Sequence, residues 1–523
     1  MDSRDDNTDL TRRQVIATAG AAGVIAGIDA VVGGSEAQPG KTPHVVIVGA
    51  GLAGLCAAYQ LQKRNWTYTI LEAERQHVGG RVRTRPIGNG LYWEAGAMRI
   101  PGAHSITRKY IAEFSELECR PFVMSHPLLF CRGKRSADEK EIRKLFALKP
   151  AERDKSSEDL WNLSVFDIAK GAAPNDGLSA QEQEELRTAN TFTYEKLINF
   201  DRLSLRQLIQ RAKLSNEPLS SEAIEFLLFG SGNLTIQHGA STEFLREELT
   251  DVWASEFSEI IGGSSRFPNA FLARLRSKPK MGCEVIRLEQ DESRGRVRAV
   301  FRSRNGLGYE EGDFLVCTIP FPVLATVQAD PPFSHEKQRA IIELGYDSGT
   351  KVALLTKYRF WEKKHGIYGG STTTDLMSGP IIYPSDNAPD EATGKKPDPA
   401  VSDRPGVLLA CYTWGQDARR LGAMPATQRE DFVIQQASKV HSELSESGMI
   451  LERASWAWDS YRWCGGAFAF YQPGQFARIH QHVIQPEGRI YFAGEHCSHS
   501  HSWMQGALES AESAVDAIVT RAG

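Results

Sequence analysis

The sequence predicts a mixed α/β (α+β) fold, in which a Rossmann-like domain is combined with a second sheet domain and an inserted helical domain. A strand, a glycine-rich turn, a helix and a second strand follow one another over residues 44–72. Apolar, β-branched runs typical of buried strands return after residue 280. Between about residues 137 and 251 the pattern is helical, with dense charges and two capping boxes. A chain of 523 residues is long enough for two or three domains.

The Rossmann-like domain begins with four apolar residues, 45–48, which are typical of a buried parallel strand. Gly49, Gly51 and Gly54 then form the pattern G-x-G-x-x-G. The first glycine permits a tight turn, the second lets the backbone approach a pyrophosphate, and the third lets the following helix pack closely. A second strand ends at Glu72, where a carboxylate can accept hydrogen bonds from a ribose. These features predict a dinucleotide-binding site, since they occur in the required order.

Composition excludes several classes of partner. The formal net charge is −4 and the isoelectric point is about 6.4, which argues against nucleic acid and against an anionic membrane surface. The 41% hydrophobic and 24% charged fractions are those of an ordinary globular protein. Eight cysteines without a C-x-x-C pair indicate neither a disulfide scaffold nor a zinc site.

The first 37 residues resemble a twin-arginine export signal. Arg12 and Arg13 precede an apolar run rich in glycine and alanine, and Ser35-Glu36-Ala37 is similar to a small-x-small cleavage site. The run is too rich in glycine for a membrane span, so no membrane partner is expected. The resemblance implies export to the periplasm or the medium, and a cytoplasmic location if the signal is not used. A disordered tail with an incidental arginine pair is the alternative, and cleavage is left open.

Two further signatures stand at opposite ends of the chain. Gly79, Gly80 and Arg81 follow the second strand, and paired glycines beside an arginine suit a phosphate. A predicted strand near the C-terminus ends in Ala-Gly-Glu at Glu495. Together with the first glycine turn, these motifs resemble the flavin amine oxidase superfamily, which implies that the chain binds FAD. The alternative for Arg81 is an ordinary surface arginine.

Arg99 is the candidate for substrate recognition. It ends the run Gly96-Ala97-Met98-Arg99, whose apolar flanks surround a guanidinium that needs an anion. The fork of an arginine matches an α-carboxylate bidentately. The run resembles the L-amino acid oxidases of the superfamily, whose corresponding arginine holds the substrate carboxylate. A structural salt bridge with Glu94 is the alternative.

The resemblance also implies roles for residues farther along the chain. Lys351, at the mouth of an apolar strand, corresponds to a catalytic lysine that binds a water near the flavin and is thought to help oxygen react. Tyr383 corresponds to a tyrosine whose hydroxyl reaches the substrate carboxylate. Phe468 and Trp503 correspond to two aromatic walls of the substrate site. Ala467 stands where monoamine oxidases attach the flavin to a cysteine, so FAD is expected to be non-covalent and the site to have room for a long side chain.

The FAD contacts implied by the resemblance come from segments spread over the whole chain. They comprise Gly49, Gly51, Leu52, Ala53, Gly54, Glu72, Ala73, Gly80, Arg81, Gly96, Ala97, Met98, Arg99, Val285, Glu495, Ser502, Trp503, Met504 and Ala507. Val285 would present its backbone to the adenine. A helix from about residue 504 to 521 would direct its positive N-terminus at the flavin and stabilise the negative charge that forms on reduction.

The helical domain carries no chemical motif of its own, and the resemblance implies that it walls the entrance to the flavin. Some relatives have a substrate-contacting histidine near its end, but residues 249–252 contain none. His496, His499 and His501 lie close together in the sequence. Without a further ligand motif we interpret them as solvated loop residues, and no metal site is expected.

The predicted domains are discontinuous. The FAD-binding domain comprises residues 43–82, 252–343 and 483–523, the substrate-binding domain comprises residues 83–136 and 344–482, and the helical domain comprises residues 137–251.

The expected reaction is the oxidative deamination of an L-amino acid by FAD and O2, which gives a 2-oxo acid, ammonia and hydrogen peroxide. The alternatives are an L-amino acid 2-monooxygenase, which forms an amide, an amine or polyamine oxidase, and a FAD-binding protein that has lost catalysis. Trp414, Trp463 and Ala467 favour a roomy, aromatic site without identifying the amino acid. Family members are often dimers or larger, so a homo-oligomer is expected.

Overall fold

The computed structural model describes residues 42–88 and 90–523. The predicted export signal, residues 1–37, lies outside the described residues. No helix in the described part of the chain combines the length and the apolar character needed to span a bilayer.

A five-stranded parallel sheet forms the nucleotide-binding half of the fold. In spatial order its strands are Lys280–Met281, Thr67–Glu72, His44–Val48, Phe314–Cys317 and Ile490–Phe492. All four neighbouring pairs are parallel. The strand at residues 44–48 lies in the middle, because Val45 to Val48 are apolar on both faces and at most 2% exposed. The predicted Rossmann-like element is thus confirmed, although the limits of the three domains stay predictions.

The helix after the first glycine turn spans Leu52–Lys63, as the sequence predicts. It packs with Arg266–Arg274, Ser105–Glu113 and Met504–Ala522 over one face of the sheet. Gly54 sits where this helix crosses the strand end, and a Cβ at this position would overlap the carbonyl oxygen of Gly49. The third glycine of the motif therefore has the packing role that the pattern predicts.

A seven-stranded sheet forms the second half of the fold. In spatial order its strands are Ile450–Ala457, Gly349–Thr356, Gly406–Trp414, Ile381–Ile382, Ser371–Thr374, Leu128–Cys131 and Lys134–Ser136. The strand at residues 349–356 is buried along its whole length. It pairs antiparallel with the strand at residues 406–414, so that Lys351 lies opposite Tyr412.

The stretch from residue 137 to 251 is helical, as predicted. Its main α-helices are Glu139–Arg143, Ser157–Trp161, Ala180–Thr188, Glu195–Asp201, Leu205–Arg211, Ser221–Gly230 and Ser241–Leu249. The two predicted capping boxes are present, and each satisfies the backbone at the start of its helix, Ser179 with Glu182 and Ser204 with Gln207.

Smaller elements complete the described part of the chain. The remaining strands are Thr84–Ile87 with Leu91–Glu94, Ile100–Pro101 and Cys119–Pro121 with Phe257–Ile260, Lys213–Leu214 with Glu217–Pro218, Tyr346–Asp347 with Phe468–Ala469, and a sheet of Glu284–Asp291, Arg296–Ser303, Gly306–Gly312 and Gln328–Asp330. The remaining α-helices are Asp167–Ala169, Phe321–Leu324, His335–Glu343, Phe360–Lys363, Pro399–Ser402, Gly415–Gly422, Ala426–Ser438 and Gln475–Ile484. These elements bear out the mixed α/β class.

Candidate active site

An elongated cavity of about 460 Å³ lies at the carboxyl ends of the parallel strands, where α/β sheets bind nucleotides. Most of the sequence-predicted cofactor residues line it. These are Gly49, Gly51, Leu52, Ala53, Glu72, Ala73, Gly80, Arg81, Gly96, Ala97, Val285, Glu495, Ser502, Trp503, Met504 and Ala507. We call it the first cavity. The residues come together from the ends of the chain and from its middle, so the distant motifs form one site.

The glycines at one end of the first cavity leave room for a phosphate group. The backbone N–H of Gly79 donates to the carbonyl of Ala50 at 2.8 Å, which ties the two glycine turns together. A Cβ added at Gly51 would have no neighbour within 4 Å. The glycine is therefore not required by protein packing, and the open space beside it suits a pyrophosphate at the N-terminus of the helix.

Glu72 and Val285, the residues predicted to meet the adenosine of the cofactor, both line this cavity. The Glu72 carboxylate accepts from the backbone N–H of Ala50 and of Glu74, each at 2.7 Å. These bonds fix the carboxylate at the end of its strand while it still lines the cavity. The geometry thus fits an acid that receives ribose hydroxyls.

Arg81 and Glu495 form a buried ion pair in the middle of the first cavity, with Nη1 and Oε1 2.7 Å apart. Glu495 also accepts from the backbone N–H of Ser502 at 2.9 Å. Burial alone would raise the pKa of Glu495, but the Arg81 guanidinium, together with nearby histidines and the Ser502 hydrogen bond, holds this pKa below its usual range. The two FAD signatures, at opposite ends of the sequence, are therefore in direct contact.

Lys351 lies at the far end of the first cavity and is only 2% exposed. Its ammonium donates to the carbonyl of Gly96 at 2.6 Å and to that of Glu94 at 3.1 Å, and it lies 4.1 Å from the Tyr412 ring centroid. Burial lowers the pKa of Lys351, while the Glu94 carboxylate raises it. A buried lysine that faces a cavity is the kind of residue expected to have a functional role.

A second cavity, of about 600 Å³, adjoins the first. The two share the residues Ala97, Tyr412, Trp414, Phe468, Ser502, Trp503 and Met504. Much of its outer wall comes from the helical segment, including Trp161, Phe229 and Glu247. The predicted aromatic residues Phe468 and Trp503 therefore stand at the junction of the two cavities, where a substrate would meet the cofactor.

Arg99 lines the second cavity and has no carboxylate within ion-pair distance among the described residues. Its guanidinium lies 5.1 Å from the Trp253 ring centroid and 5.6 Å from that of Phe257, and Nη1 contacts the Met124 sulfur at 3.6 Å. Burial lowers its pKa. The alternative of a salt bridge with Glu94 is excluded, because Glu94 accepts from Thr84 and Ser264 instead. A half-buried guanidinium that contacts aromatic rings and has no ion-pair partner is suited to bind an anionic ligand.

Three predicted cofactor residues do not line the first cavity. Gly54 packs beneath the glycine turn, and Met98 and Arg99 face the second cavity. The direct cofactor contacts predicted for these three are therefore corrected. Arg99 remains placed for substrate.

Tyr383 is a further correction. Its side chain is fully buried and faces the opposite side of the large sheet from the cavities. The phenol bonds to the hydroxyl of Thr372 and to Nε2 of His441, the latter at 2.6 Å. It cannot reach a substrate carboxylate beside Arg99. The tyrosine at the junction of the two cavities is Tyr412, which the family resemblance did not indicate.

The interpretation of His496, His499 and His501 as solvated loop residues is wrong. His496 and His501 are buried and His499 is half-buried. His501 lies 3.2 Å from the Glu243 carboxylate, which raises its pKa against the effect of burial. In the described part of the chain, the possible metal ligands that lie within 4.8 Å of one another are His365, His441 and Glu443, but their imidazole Nε2 atoms already bond to Glu443 and Tyr383.

Glu247 is the second residue of the site that sequence reasoning missed. It lies near the end of the helix Ser241–Leu249 and lines the second cavity. Its carboxylate accepts from the indole N–H of Trp253 at 2.7 Å and from that of Trp503 at 2.9 Å. No local pattern marks this residue, because Trp503 lies 256 residues away, although Trp253 is only six residues away.

Comparison with known proteins identifies the family of the chain. Residues 52–519 match the family of flavin-containing amine oxidoreductases. The chain is 31% identical to an L-amino-acid oxidase of Siganus canaliculatus, with 90% of this chain and 84% of the relative covered. It is also 31% identical to the flavin-dependent L-tryptophan oxidase RebO of Lentzea aerocolonigenes, with 91% and 97% covered.

A solved structure of putrescine oxidase bound to putrescine has the same fold, with a TM-score of 0.70, 17% identity, and 92% of this chain and all of that chain covered. At this identity the likeness concerns the fold alone. The family match covers most of the chain and includes both flavin signatures. The chain therefore belongs to the flavin-containing amine oxidoreductases and is a flavin-dependent oxidoreductase.

Proposed function

We propose that the protein oxidises L-amino acids to 2-oxo acids, ammonia and hydrogen peroxide. The observation that carries the proposal is the half-buried Arg99 guanidinium, which lines the substrate-side cavity without a carboxylate within ion-pair distance among the described residues. An amine oxidase does not need a cation there, because its substrate has no carboxylate. The 31% identity to amino-acid oxidases over most of the chain supports the same assignment.

Each residue of the site has a distinct proposed role. Arg99 binds the α-carboxylate, so that the Cα–H is held toward the junction of the two cavities. Phe468 and Trp503 hold the reacting carbon between aromatic surfaces. Tyr412, rather than Tyr383, is the tyrosine on the substrate side. Bound FAD would supply the redox chemistry, accepting the Cα hydride of a substrate whose α-amine is neutral and passing two electrons to O2. Water then converts the imine to the 2-oxo acid and ammonia.

FAD is proposed to bind without a covalent link. The cysteines that line the first cavity are Cys283 and Cys464. Burial raises the pKa of both thiols, that of Cys464 to about 12, so neither is a ready nucleophile. Export by the N-terminal signal and assembly into a homo-oligomer are further proposals, which rest on the sequence resemblance.

A peroxide assay on the purified holoenzyme tests the reaction. It uses the twenty L-amino acids, with their D-enantiomers as controls and agmatine as an amine without a carboxylate. We expect peroxide, ammonia and 2-oxo acid from at least one L-amino acid and none from D-enantiomers. An amide and CO2 in place of the 2-oxo acid would identify a monooxygenase. Activity on agmatine alone would identify an amine oxidase.

Replacing Lys351 with methionine should slow the reoxidation of the reduced enzyme by O2 about a hundredfold, because a buried cation stabilises the negative charge that develops when O2 accepts electrons. Stopped-flow measurement would separate this step from anaerobic reduction by substrate, which should change much less. Lys337→Met is the matched control, since Lys337 is also fully buried but lies outside both cavities and donates to the carbonyl of Val483. Equal slowing of both half-reactions would contradict the assigned role.

A further inference from the structure

The second cavity carries more negative than positive charge. Its acidic residues are Glu158, Glu243, Glu247, Glu248, Asp375 and Asp417. The basic residues in its described lining are Arg99 and His126, and burial lowers the pKa of His126, which keeps it neutral near pH 7. Once Arg99 has bound a carboxylate, the cavity retains an excess of negative charge. A ligand with an additional cation would complement that charge.

Most of these acids already have a partner or face solvent. Glu243 lies 3.2 Å from His501 and 3.6 Å from Arg246, and Asp417 lies 3.0 Å from Arg420. Glu158 and Asp375 are exposed, so water screens their charges. These four acids therefore do not require a ligand.

Glu247 and Glu248 differ from the others. Neither lies within ion-pair distance of a cation in the described part of the chain. Glu247 accepts from Trp253 and Trp503, and Glu248 accepts from the indole N–H of Trp161 at 2.8 Å. Indole donors are neutral, and the cations that act on these acids, Arg99 on Glu247 and Lys170 on Glu248, do so from beyond ion-pair distance. Burial raises the pKa of both carboxyls. Two adjacent, half-buried acids in a cavity wall are suited to receive a cation.

The surrounding rings strengthen the case for a cation. The indoles that bond to the two acids, Trp161, Trp253 and Trp503, all line the cavity, and an indole face attracts a desolvated cation. Arg99 and Glu247 also approach the same indole, because the guanidinium lies over the Trp253 ring while the carboxylate accepts its N–H. The face of the Trp253 ring therefore lies beside the Arg99 cation, which can bind an anion, and its N–H edge lies beside the Glu247 carboxylate.

We propose that the protein selects L-amino acids with a cationic side chain, whose carboxylate binds Arg99 and whose distal cation is held by Glu247, with Glu248 beside it. The inference rests on the proposed oxidation of L-amino acids. The α-amine cannot neutralise these acids, because it must be uncharged when the hydride leaves Cα, so that its lone pair can form the imine. The neutralising cation is therefore the guanidinium or ammonium of the substrate side chain.

L-Arginine and L-citrulline test the proposal, because they have nearly the same shape and differ in side-chain charge. In the wild-type holoenzyme, kcat/KM for L-arginine should exceed that for L-citrulline by about 30-fold or more. In Glu247→Gln the value for L-arginine should fall by about 30-fold or more, while that for L-citrulline should stay within about threefold. Glu248→Gln should also lower kcat/KM for L-arginine more than that for L-citrulline, but by a smaller factor. It serves as the second variant if Glu247→Gln does not fold.

Glu195→Gln is the control for the loss of one negative charge, because Glu195 is exposed on the same helical segment and lies outside the cavities. Flavin absorbance of each variant checks that the cofactor is retained. Equal kcat/KM for L-arginine and L-citrulline in the wild type would overturn the inference. So would an equal loss for both substrates in Glu247→Gln, since that would mean that Glu247 only positions Trp253 and Trp503.

The same measurements separate this inference from the proposed function. Preference for neutral L-amino acids would overturn the cation selectivity and leave the oxidation of L-amino acids standing. Oxidation of agmatine without oxidation of L-arginine would overturn both, because agmatine carries the cation but no carboxylate.

Discussion

Arg99→Ala is expected to lower kcat/KM for L-amino acids by about a thousandfold, which corresponds to about 4 kcal/mol of lost transition-state binding. The half-buried guanidinium lies near the rings of Trp253 and Phe257 and has no carboxylate within ion-pair distance among the described residues, so its charge is available to the substrate. Removing it leaves the α-carboxylate desolvated and unpaired. Steady-state kinetics with peroxide detection measures the change.

Arg99→Lys is the matched control, because it keeps the charge and removes the bidentate fork. Its activity should lie between those of the wild type and Arg99→Ala. Sodium benzoate, a carboxylate without an amine, should perturb the flavin spectrum of the wild type and not that of Arg99→Ala. A loss of less than about threefold in Arg99→Ala would show that the carboxylate is bound elsewhere.

The two glycines of the first turn should respond oppositely to the same substitution. Gly54→Ala should destabilise the fold by about 3 kcal/mol or more, because the added methyl would overlap the carbonyl oxygen of Gly49 in the contact between helix and strand. Gly51→Ala should leave the apoprotein stable, because its methyl meets no protein atom within 4 Å. It should instead weaken FAD binding about a hundredfold, since the methyl occupies the space of the pyrophosphate.

Urea unfolding of the apoproteins and titration with FAD measure the two effects separately. Each variant is the control for the other, because both add one methyl group to the same turn. Normal FAD affinity in Gly51→Ala would show that the cofactor does not approach this backbone. Wild-type stability in Gly54→Ala would show that the helix can move away from the strand without loss.

The cofactor half of the site could be predicted because its signals are local. Glycines that must meet a phosphate or pack a helix are visible in the order G-x-G-x-x-G, and the strand Val45 to Val48 is apolar throughout. The structure adds what no single segment shows, namely that Arg81 and Glu495 are in contact across more than 400 residues of chain.

The substrate half was less predictable, for a geometric reason that Tyr383 illustrates. Neighbouring residues of an extended segment point to opposite faces, so a shift of one position exchanges core and cavity. Ile382 lines the second cavity, whereas Tyr383 enters the core on the other side. The register of the sheet identifies the tyrosine on the cavity side, because Tyr412 lies opposite Lys351. That register depends on long-range pairing, which the sequence alone does not reveal.

The buried histidines and Glu247 could not be predicted for a related reason. Polar residues in a Ser/His-rich segment are typical of a solvated loop, and burial of His501 requires Glu243 from the helical segment. Likewise, Glu247 is placed in the site by a hydrogen bond from Trp503, which lies 256 residues away. Partners of this kind come together only when the helical segment packs over the sheets.

The division of the second cavity between two parts of the chain bears on how such enzymes diversify. Arg99 belongs to the segment beside the large sheet, together with the residues that meet the cofactor, whereas Glu247, Glu248 and Trp161 belong to the helical segment. Mutations in the helical wall at positions that do not contact Trp503 can therefore alter which side chain is accepted without disturbing the residues at the junction of the two cavities. Directed evolution of substrate range has a natural target in residues 157–166 and 229–248, and recombination of this segment among relatives is a practical route to new amino-acid specificities.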